Sequence, residues 1–354
     1  MPPKLVPRAL LAATAATAVA GLYGGLLRFG AALPFLETPV DLHGLLMMHG
    51  FFGTLVPLER AVALGQPVWF AAPALSAAGS AMLLLGQPAG MLLLLFSAAI
   101  FVAMSMWVLW LQAAVFNLAL LFGAGALLAG TAVMAVLGSP VLATPLWLAF
   151  LVLTVSAERL ELSRMVGTGR TSAAAFLLVA GFVLIGACPA VRALDSGLTL
   201  ASALLSMAAW LALNDVARHR LAAGGQTAFM ATAIICGHVW LSVAGLAMAA
   251  EPTLPQMRDV SIHAIGIGFA MSMIMGHVLI ILPAVGGWRP VYRHAMYLPL
   301  CLLQLSVAVR AAFDLLAPDL RWTTGPATIL AILSFGIIAA IPSSTAKAQR
   351  QIRT

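Results

Sequence analysis

The stretch MLLLLFSAAIFVAMSMWVLWL, which runs from Met91 to Leu111, contains no charged residue and decides the class of fold. About 20 predominantly apolar residues in a helix, at a rise of about 1.5 Å per residue, span the ~30 Å hydrocarbon core of a bilayer. The rest of the chain is similar, because 62% of its 354 residues are hydrophobic and only 8% are charged. Soluble domains carry about 25% charged residues, so the sequence predicts an integral membrane protein.

Short polar or Gly/Pro-rich breaks divide the chain into twelve apolar runs of about 20 to 28 residues, a length typical of membrane-spanning helices. Strands of a membrane β-barrel would instead alternate in polarity over about 10 residues. No soluble domain interrupts the runs. We therefore expect residues 1–354 to form a single transmembrane domain, an all-α polytopic bundle of about twelve helices.

Lysine and arginine are unequally distributed between the two sides of this predicted topology. With the amino terminus inside, the inner segments contain Lys4, Arg8, Arg60, Arg159, Arg164, Arg170, Arg218, Arg220, Arg289, Arg293, Lys347, Arg350 and Arg353, and the outer segments contain Arg28, Arg192, Arg258 and Arg321. This positive-inside bias predicts a multi-pass protein of the cell's inner (plasma) membrane with both termini in the cytoplasm. The net charge of +7 then reflects topology, so the expected surroundings are the lipid bilayer, and no nucleic-acid partner is expected.

Five histidines fall inside predicted spans, where an ionisable group is costly and usually faces the bundle interior, a cavity or a cofactor. The second span has His43 and His49, the ninth His238, and the tenth His263 and His277. Because both helices run inward, His43 and His263 are expected at matched depth near the outer surface. Two imidazoles at equal depth on different helices suit the two axial positions of a haem b iron.

Small residues beside these histidines favour the haem hypothesis, because a flat porphyrin needs a helix surface without bulky side chains. These small residues are Gly44, Gly50, Gly53, Ala264, Gly266 and Gly268. The alternative is that each histidine only bonds a backbone carbonyl or a hydroxyl in a helix interface, where glycines serve close packing.

The sequence around two of these histidines resembles a known family. The stretch from His43 to Ala63, HGLLMMHGFFGTLVPLERAVA, resembles the second helix of the NnrS family and, more distantly, of the catalytic subunit of haem-copper oxidases and nitric oxide reductases. The stretch from His263 through PAVGG at residues 283–287 resembles their tenth helix. The resemblance implies a haem-copper-oxidase-subunit-I-like arrangement, haem b ligated by His43 and His263, and copper as a second candidate metal. It also implies a place in nitric oxide stress or respiratory metabolism, with a redox partner or a small gas ligand.

The chain departs from that family in one respect. The resembled reductases have histidine ligands for copper on the sixth and seventh helices, whereas this chain has no histidine between His49 and His219. A complete binuclear reductase centre is therefore not expected, and whether the chain is an enzyme stays open. The candidates for a second metal site are His49, His238 and His277, with Met48, Met273 and Cys236 as nearby soft donors suited to Cu(I). Their different predicted depths argue against one site shared by the three histidines.

A second hypothesis is a membrane transporter for copper or a small metabolite, in which the intramembrane histidines and Glu59 relay protons or metal ions. The absence of a convincing match between residues 1–177 and 178–354 argues against it. The nearby basic residues favour a different role for Glu59, in which it pairs with Arg60 and anchors the inner end of its helix. Arg310 can pair with Asp314, one turn further on, or with a haem propionate.

Overall fold

The structure, a computed structural model, describes residues 5–28, 34, 37–164 and 169–341. Within those ranges the chain is α-helical with short 3₁₀ and π segments, and no strand occurs. The basic residues Lys4, Lys347, Arg350 and Arg353, which contribute to the predicted orientation, lie outside the described residues. The prediction of an all-helical, multi-pass membrane protein is confirmed.

The described part of the chain forms twelve long helices. In chain order they are α1 (Leu5–Arg28), α2 (residues 37–64), α3 (Pro67–Leu84), α4 (Gly90–Leu111), α5 (Val115–Leu137), α6 (Pro140–Ser163), α7 (Arg170–Ala187), α8 (Leu198–Asn214), α9 (Gly225–Ala250), α10 (Met257–Val285), α11 (His294–Leu316) and α12 (Pro318–Ala340). A short helix, Pro189–Asp195, precedes α8, and two 3₁₀ turns, Val216–His219 and Leu221–Ala223, follow it.

Eleven segments are long and apolar enough to cross a bilayer, and α2 is not among them. It has the length, but its two histidines and the Glu59–Arg60 pair reduce its hydropathy. Consecutive helices pack side by side along most of the chain, as short connections between antiparallel helices require. Helix α6 lies at the centre, since 72% of its most apolar window is buried, against 28% for α1, α7 and α12.

The two ends of the bundle can be identified from contacts of α1. At its start, the Nε of Arg8 donates a hydrogen bond to the carbonyl of Gly286, just beyond α10. We call this the inner end, following the orientation predicted from charge. Near the other end of α1, which we call the outer end, Gly21 and Gly25 face the first turns of α2.

Helices α2 and α10 share an irregularity that the other long helices lack within the described residues. Each contains a π-helical segment, Leu46–Phe52 in α2 and Ala264–Met271 in α10. Each segment closely follows a histidine, and both His43 and His263 are the seventh residue of their helix. Wide π turns are rare and occur frequently at functional sites. They also rotate all later residues, so helical faces assigned from a 3.6-residue period do not hold beyond residue 46.

Helices α3 and α4 approach each other through glycine. A Cβ atom built on Gly90 would lie 2.5 Å from the carbonyl oxygen of Gly79, and one on Gly79 would lie 2.7 Å from that of Gly90. These neighbours are backbone atoms, so they cannot rotate away. The α3–α4 hairpin therefore depends on both glycines.

We predict that Gly90→Ala destabilises the folded protein by about 1–3 kcal/mol, because the added methyl group forces the two backbones apart. Thermal unfolding of the detergent-solubilised protein measures this. Gly125→Ala is the matched control, since a Cβ on Gly125 meets nothing within 4 Å. Equal melting temperatures for the two variants would contradict the role assigned to this contact.

Candidate functional site: the outer histidine pair and the inner charge network

His43 is held against α1 by a single hydrogen bond. Its Nδ1 lies 2.6 Å from the carbonyl oxygen of Gly21, and because a carbonyl only accepts, Nδ1 carries the proton and donates. A Cβ on Gly25 would lie 2.9 Å from Cε1 of the imidazole, so this glycine provides the space in which the ring packs. The lone pair of a neutral His43 is therefore on Nε2, the nitrogen that points away from this anchor.

His263 is oriented in the same way, by its own helix. Its Nδ1 lies 2.9 Å from the carbonyl oxygen of Asp259, one turn earlier, and 3.3 Å from the carboxylate of that residue. Arg310 of α11 donates to the same carboxylate at 2.7 and 3.2 Å. Arg310 thus contacts Asp259 more closely than Asp314, one of its two predicted partners, which lies 3.9 Å away.

The two imidazoles lie in one electrostatic neighbourhood at the outer end. The charged or titratable groups that act on His43 are His263, Arg28 and Arg310. Neither Nε2 atom makes a hydrogen bond to any residue that the structure describes. An imidazole fixed through Nδ1 with its Nε2 left unbonded has the orientation of a metal-ligating histidine.

The glycines near the two histidines fall into two groups. Gly44 directly follows His43, Gly266 lies three residues after His263, and a Cβ on either glycine would meet nothing within 4 Å. Gly50, Gly53 and Gly268, which the sequence also predicts to form this surface, instead face close neighbours, because a Cβ on each would lie 2.4–3.0 Å from another atom. Only part of the predicted surface is therefore open.

His49 lies apart from the pair, deeper in α2. Its Nε2 is 3.1 Å from the hydroxyl of Thr131 in α5, and that hydroxyl donates to the carbonyl of Leu127. The Thr131 oxygen therefore accepts from His49. The ring also packs edge-on against Trp147 of α6, with centroids 5.6 Å apart. These contacts place Nε2 and the ring of His49 in the interface between α2, α5 and α6.

His238 and His277 meet in a charge network at the inner end. Its centre is a two-pronged ion pair between Arg159 of α6 and Asp215, just after α8, with N–O distances of 2.7 and 2.6 Å. A third nitrogen of Arg159 donates to Nε2 of His277 at 3.0 Å, and Nε2 of His238 lies 3.3 Å from Asp215. Nδ1 of His277 donates to the carbonyl of Met273, so both of its nitrogens are engaged.

The prediction that Arg159 belongs to an inner connecting segment was wrong. It lies inside α6 and is 2% exposed. The missed signal was Arg159 itself, at the end of a long apolar run, and its partner Asp215 lies in the next inner segment. A buried guanidinium requires a carboxylate, although 56 residues separate the two in the chain.

The candidates for a second metal do not converge. Among the residues described, no group of three or more His, Cys, Asp or Glu side chains could hold a metal ion. Met273 belongs to one hydrophobic cluster and Met271 and Met275 to another, which accords with packing on different faces. A haem requires only two protein ligands, so this finding concerns copper and not the outer pair.

A pocket in the inner half of the bundle lies between three helices that follow one another at intervals of four helices in the chain. Its walls come entirely from α2, α6 and α10, and its polar members are Glu59, Glu158, Thr154 and His277. Arg60 does not pair with its neighbour Glu59 to anchor the end of α2. It crosses to Glu158 of α6, with an N–O distance of 3.0 Å.

These features define the class: an all-helical, multi-pass membrane protein with an oriented histidine pair at one end and a buried charge network at the other. Residues 7–344 match the model of the family described as Domain of unknown function (DUF8744). The chain belongs to this family. No curated protein and no solved structure matches it.

We predict that Asp215→Asn destabilises the protein by about 3–5 kcal/mol, because it leaves the buried Arg159 charge uncompensated. Thermal unfolding in detergent is the measurement. The control is Glu251→Gln, whose partner Arg192 lies 3.6 Å away with both side chains 17–18% exposed, and we expect about 0–1 kcal/mol there.

The double variant Arg159→Met, Asp215→Asn should recover part of the loss, since it removes the unpaired charge. A double variant that is less stable than Asp215→Asn would contradict this account of the network.

Proposed function

We propose that this protein is a haem b-binding integral membrane protein, related to the NnrS family and distantly to haem-copper oxidases, with His43 and His263 as the two axial ligands. The observation that carries the proposal is the common orientation of the two rings. Each donates from Nδ1 to a backbone carbonyl, and neither Nε2 has a partner among the described residues. In haem and zinc proteins such a bond fixes the tautomer and aims the ligating nitrogen.

The surroundings fit the group. Gly44 and Gly266 leave open surface beside the two rings, where a porphyrin face needs room. Arg28 is exposed at the end of α1 and acts electrostatically on His43, so it is suited to pair with the propionate carboxylates of a haem. Arg310 is committed to Asp259 and thereby supports His263. The α1 and α11 contacts hold the imidazoles in place before any haem binds.

When bound, the haem supplies a one-electron redox centre. A haem held by both His43 and His263 would suit electron transfer better than gas binding. The chain has no histidine between His49 and His219, and therefore none on α6 or α7 to hold a copper beside a haem. We infer a role in nitric oxide stress or respiratory metabolism that exchanges electrons with a redox partner in the inner membrane, without a complete binuclear reductase centre.

The first test is an absorption spectrum of the purified protein, recorded oxidised and after dithionite reduction. We expect a haem b difference signal that His43→Ala and His263→Ala each abolish or greatly reduce, because each removes one of two ligands. His219→Ala and His294→Ala are the matched controls, since both histidines are exposed, and they should keep the full signal. Full haem occupancy in both ligand variants would refute the assignment.

The second test concerns turnover. We expect no sustained nitric oxide or oxygen consumption by the pure protein with an artificial electron donor, because a haem with two histidine ligands offers these gases no vacant position. An electrode recording of gas consumption measures this. Robust steady-state reduction of either gas would overturn the absence of a binuclear centre.

A further inference from the structure

The inner pocket contains a carboxyl group that the haem proposal does not use. Glu59 lies on α2 and faces this pocket together with Thr154, Glu158 and His277. The remaining walls are apolar. They comprise Phe52, Leu55, Val56, Leu151, Val155, Ala270, Met273, Ile274 and Ile281. A carboxylate in such surroundings is unfavourable unless a cation or several donors compensate it.

No cation in the neighbourhood is available to Glu59. Arg60, the next residue, is bonded to Glu158 across the pocket at 3.0 Å. Arg159 is bonded to Asp215 and to His277. The structure gives Glu59 no hydrogen bond or ion pair with any described residue.

The other groups that face Glu59 do not compensate it either. Glu158 of α6 has the same sign of charge and acts on it electrostatically. His277 of α10 has both nitrogens engaged, one of them accepting from a guanidinium, which keeps the imidazole neutral. An ionised Glu59 would therefore face a second carboxylate, a neutral ring and hydrocarbon, and the one guanidinium that favours its ionised form, that of Arg60, is bonded to Glu158.

The hydroxyl of Thr154, which also lines the pocket, does not compensate Glu59 either. It is directed at Gly123 of α5, where a Cβ would lie 2.9 Å from its oxygen. Thr154 lies one turn before Glu158 on α6, about 6 Å deeper in the bundle.

We propose that Glu59 is a proton-binding site that exchanges with water at the inner end of the bundle. A proton from water binds to a carboxylate oxygen of Glu59 and leaves the side chain neutral, with no change in electron count. The Arg60–Glu158 pair lies at the mouth of the site, where its side chains are 21% and 35% exposed, so solvent reaches the pocket there. The inference is independent of haem, because it rests only on residues of the inner half.

Infrared difference spectroscopy of the full-length protein in detergent or lipid nanodiscs tests it. A protonated carboxyl has a carbonyl band distinct from the carboxylate bands, and this band shifts in D₂O if its proton exchanges with solvent. In the wild-type minus Glu59→Gln spectrum we expect about one equivalent of protonated carboxyl at neutral pH, shifted in D₂O. The band should persist at pH values where exposed glutamates are fully ionised.

Glu161→Gln is the matched control, because Glu161 lies on the same inner end of α6 and is exposed. Its difference spectrum should contain carboxylate bands only. Glu59→Gln keeps the shape of a neutral glutamic acid, so it should fold and melt like the wild type at neutral pH. Absence of the protonated band at Glu59 would overturn the proposal, and so would a band that D₂O does not shift, since that proton would be sealed from water.

Discussion

The Arg159–Asp215 ion pair is the interaction on which the inner half of the bundle depends. A guanidinium that is 2% exposed in an apolar bundle must have a carboxylate partner, and Asp215 meets it with two hydrogen bonds. Through the same groups the pair reaches His277 on α10 and His238 on α9. One charged contact thus links four parts of the inner end of the bundle: α6, the segment after α8, and the helices α9 and α10.

The Arg159–Asp215 pair also determines which charged groups remain available to neighbouring residues. Because Arg159 bonds both Asp215 and His277, its guanidinium is not available to pair with Glu59 in the pocket between α2, α6 and α10. Arg60 is likewise committed to Glu158. The outer end has the opposite character, since there the polar contacts anchor each imidazole on one side only. In the inner network Arg159 and both nitrogens of His277 are bonded, whereas in the outer pair the two Nε2 atoms have no partner among the described residues.

The sequence predicted the helices well and their partners poorly. Apolar runs and charge bias depend on local composition, so they yielded the helical class and the break between α4 and α5. Pairings depend on which helices become neighbours, which composition does not report. For this reason Arg60 was assigned to the adjacent Glu59 when it reaches Glu158, and Arg159 was placed outside α6. Periodicity also assumes uniform α-helix, so it could not reveal the π segments.

Those π segments have a consequence for the relation between the two ends of the molecule. A π turn holds one more residue than the α turn it replaces, so Leu46–Phe52 sets the rotational register between the upper and lower parts of α2. Deleting a single residue there would restore regular winding and keep everything after it on its present face, whereas deleting one from a regular turn of α2 would rotate everything after it by about 100°. In the second case His43 would keep its contact with α1, while Glu59 would leave the pocket it shares with α6 and α10. The orientation of Glu59 at the inner end relative to His43 at the outer end therefore depends on the π segment of α2 holding the single extra residue.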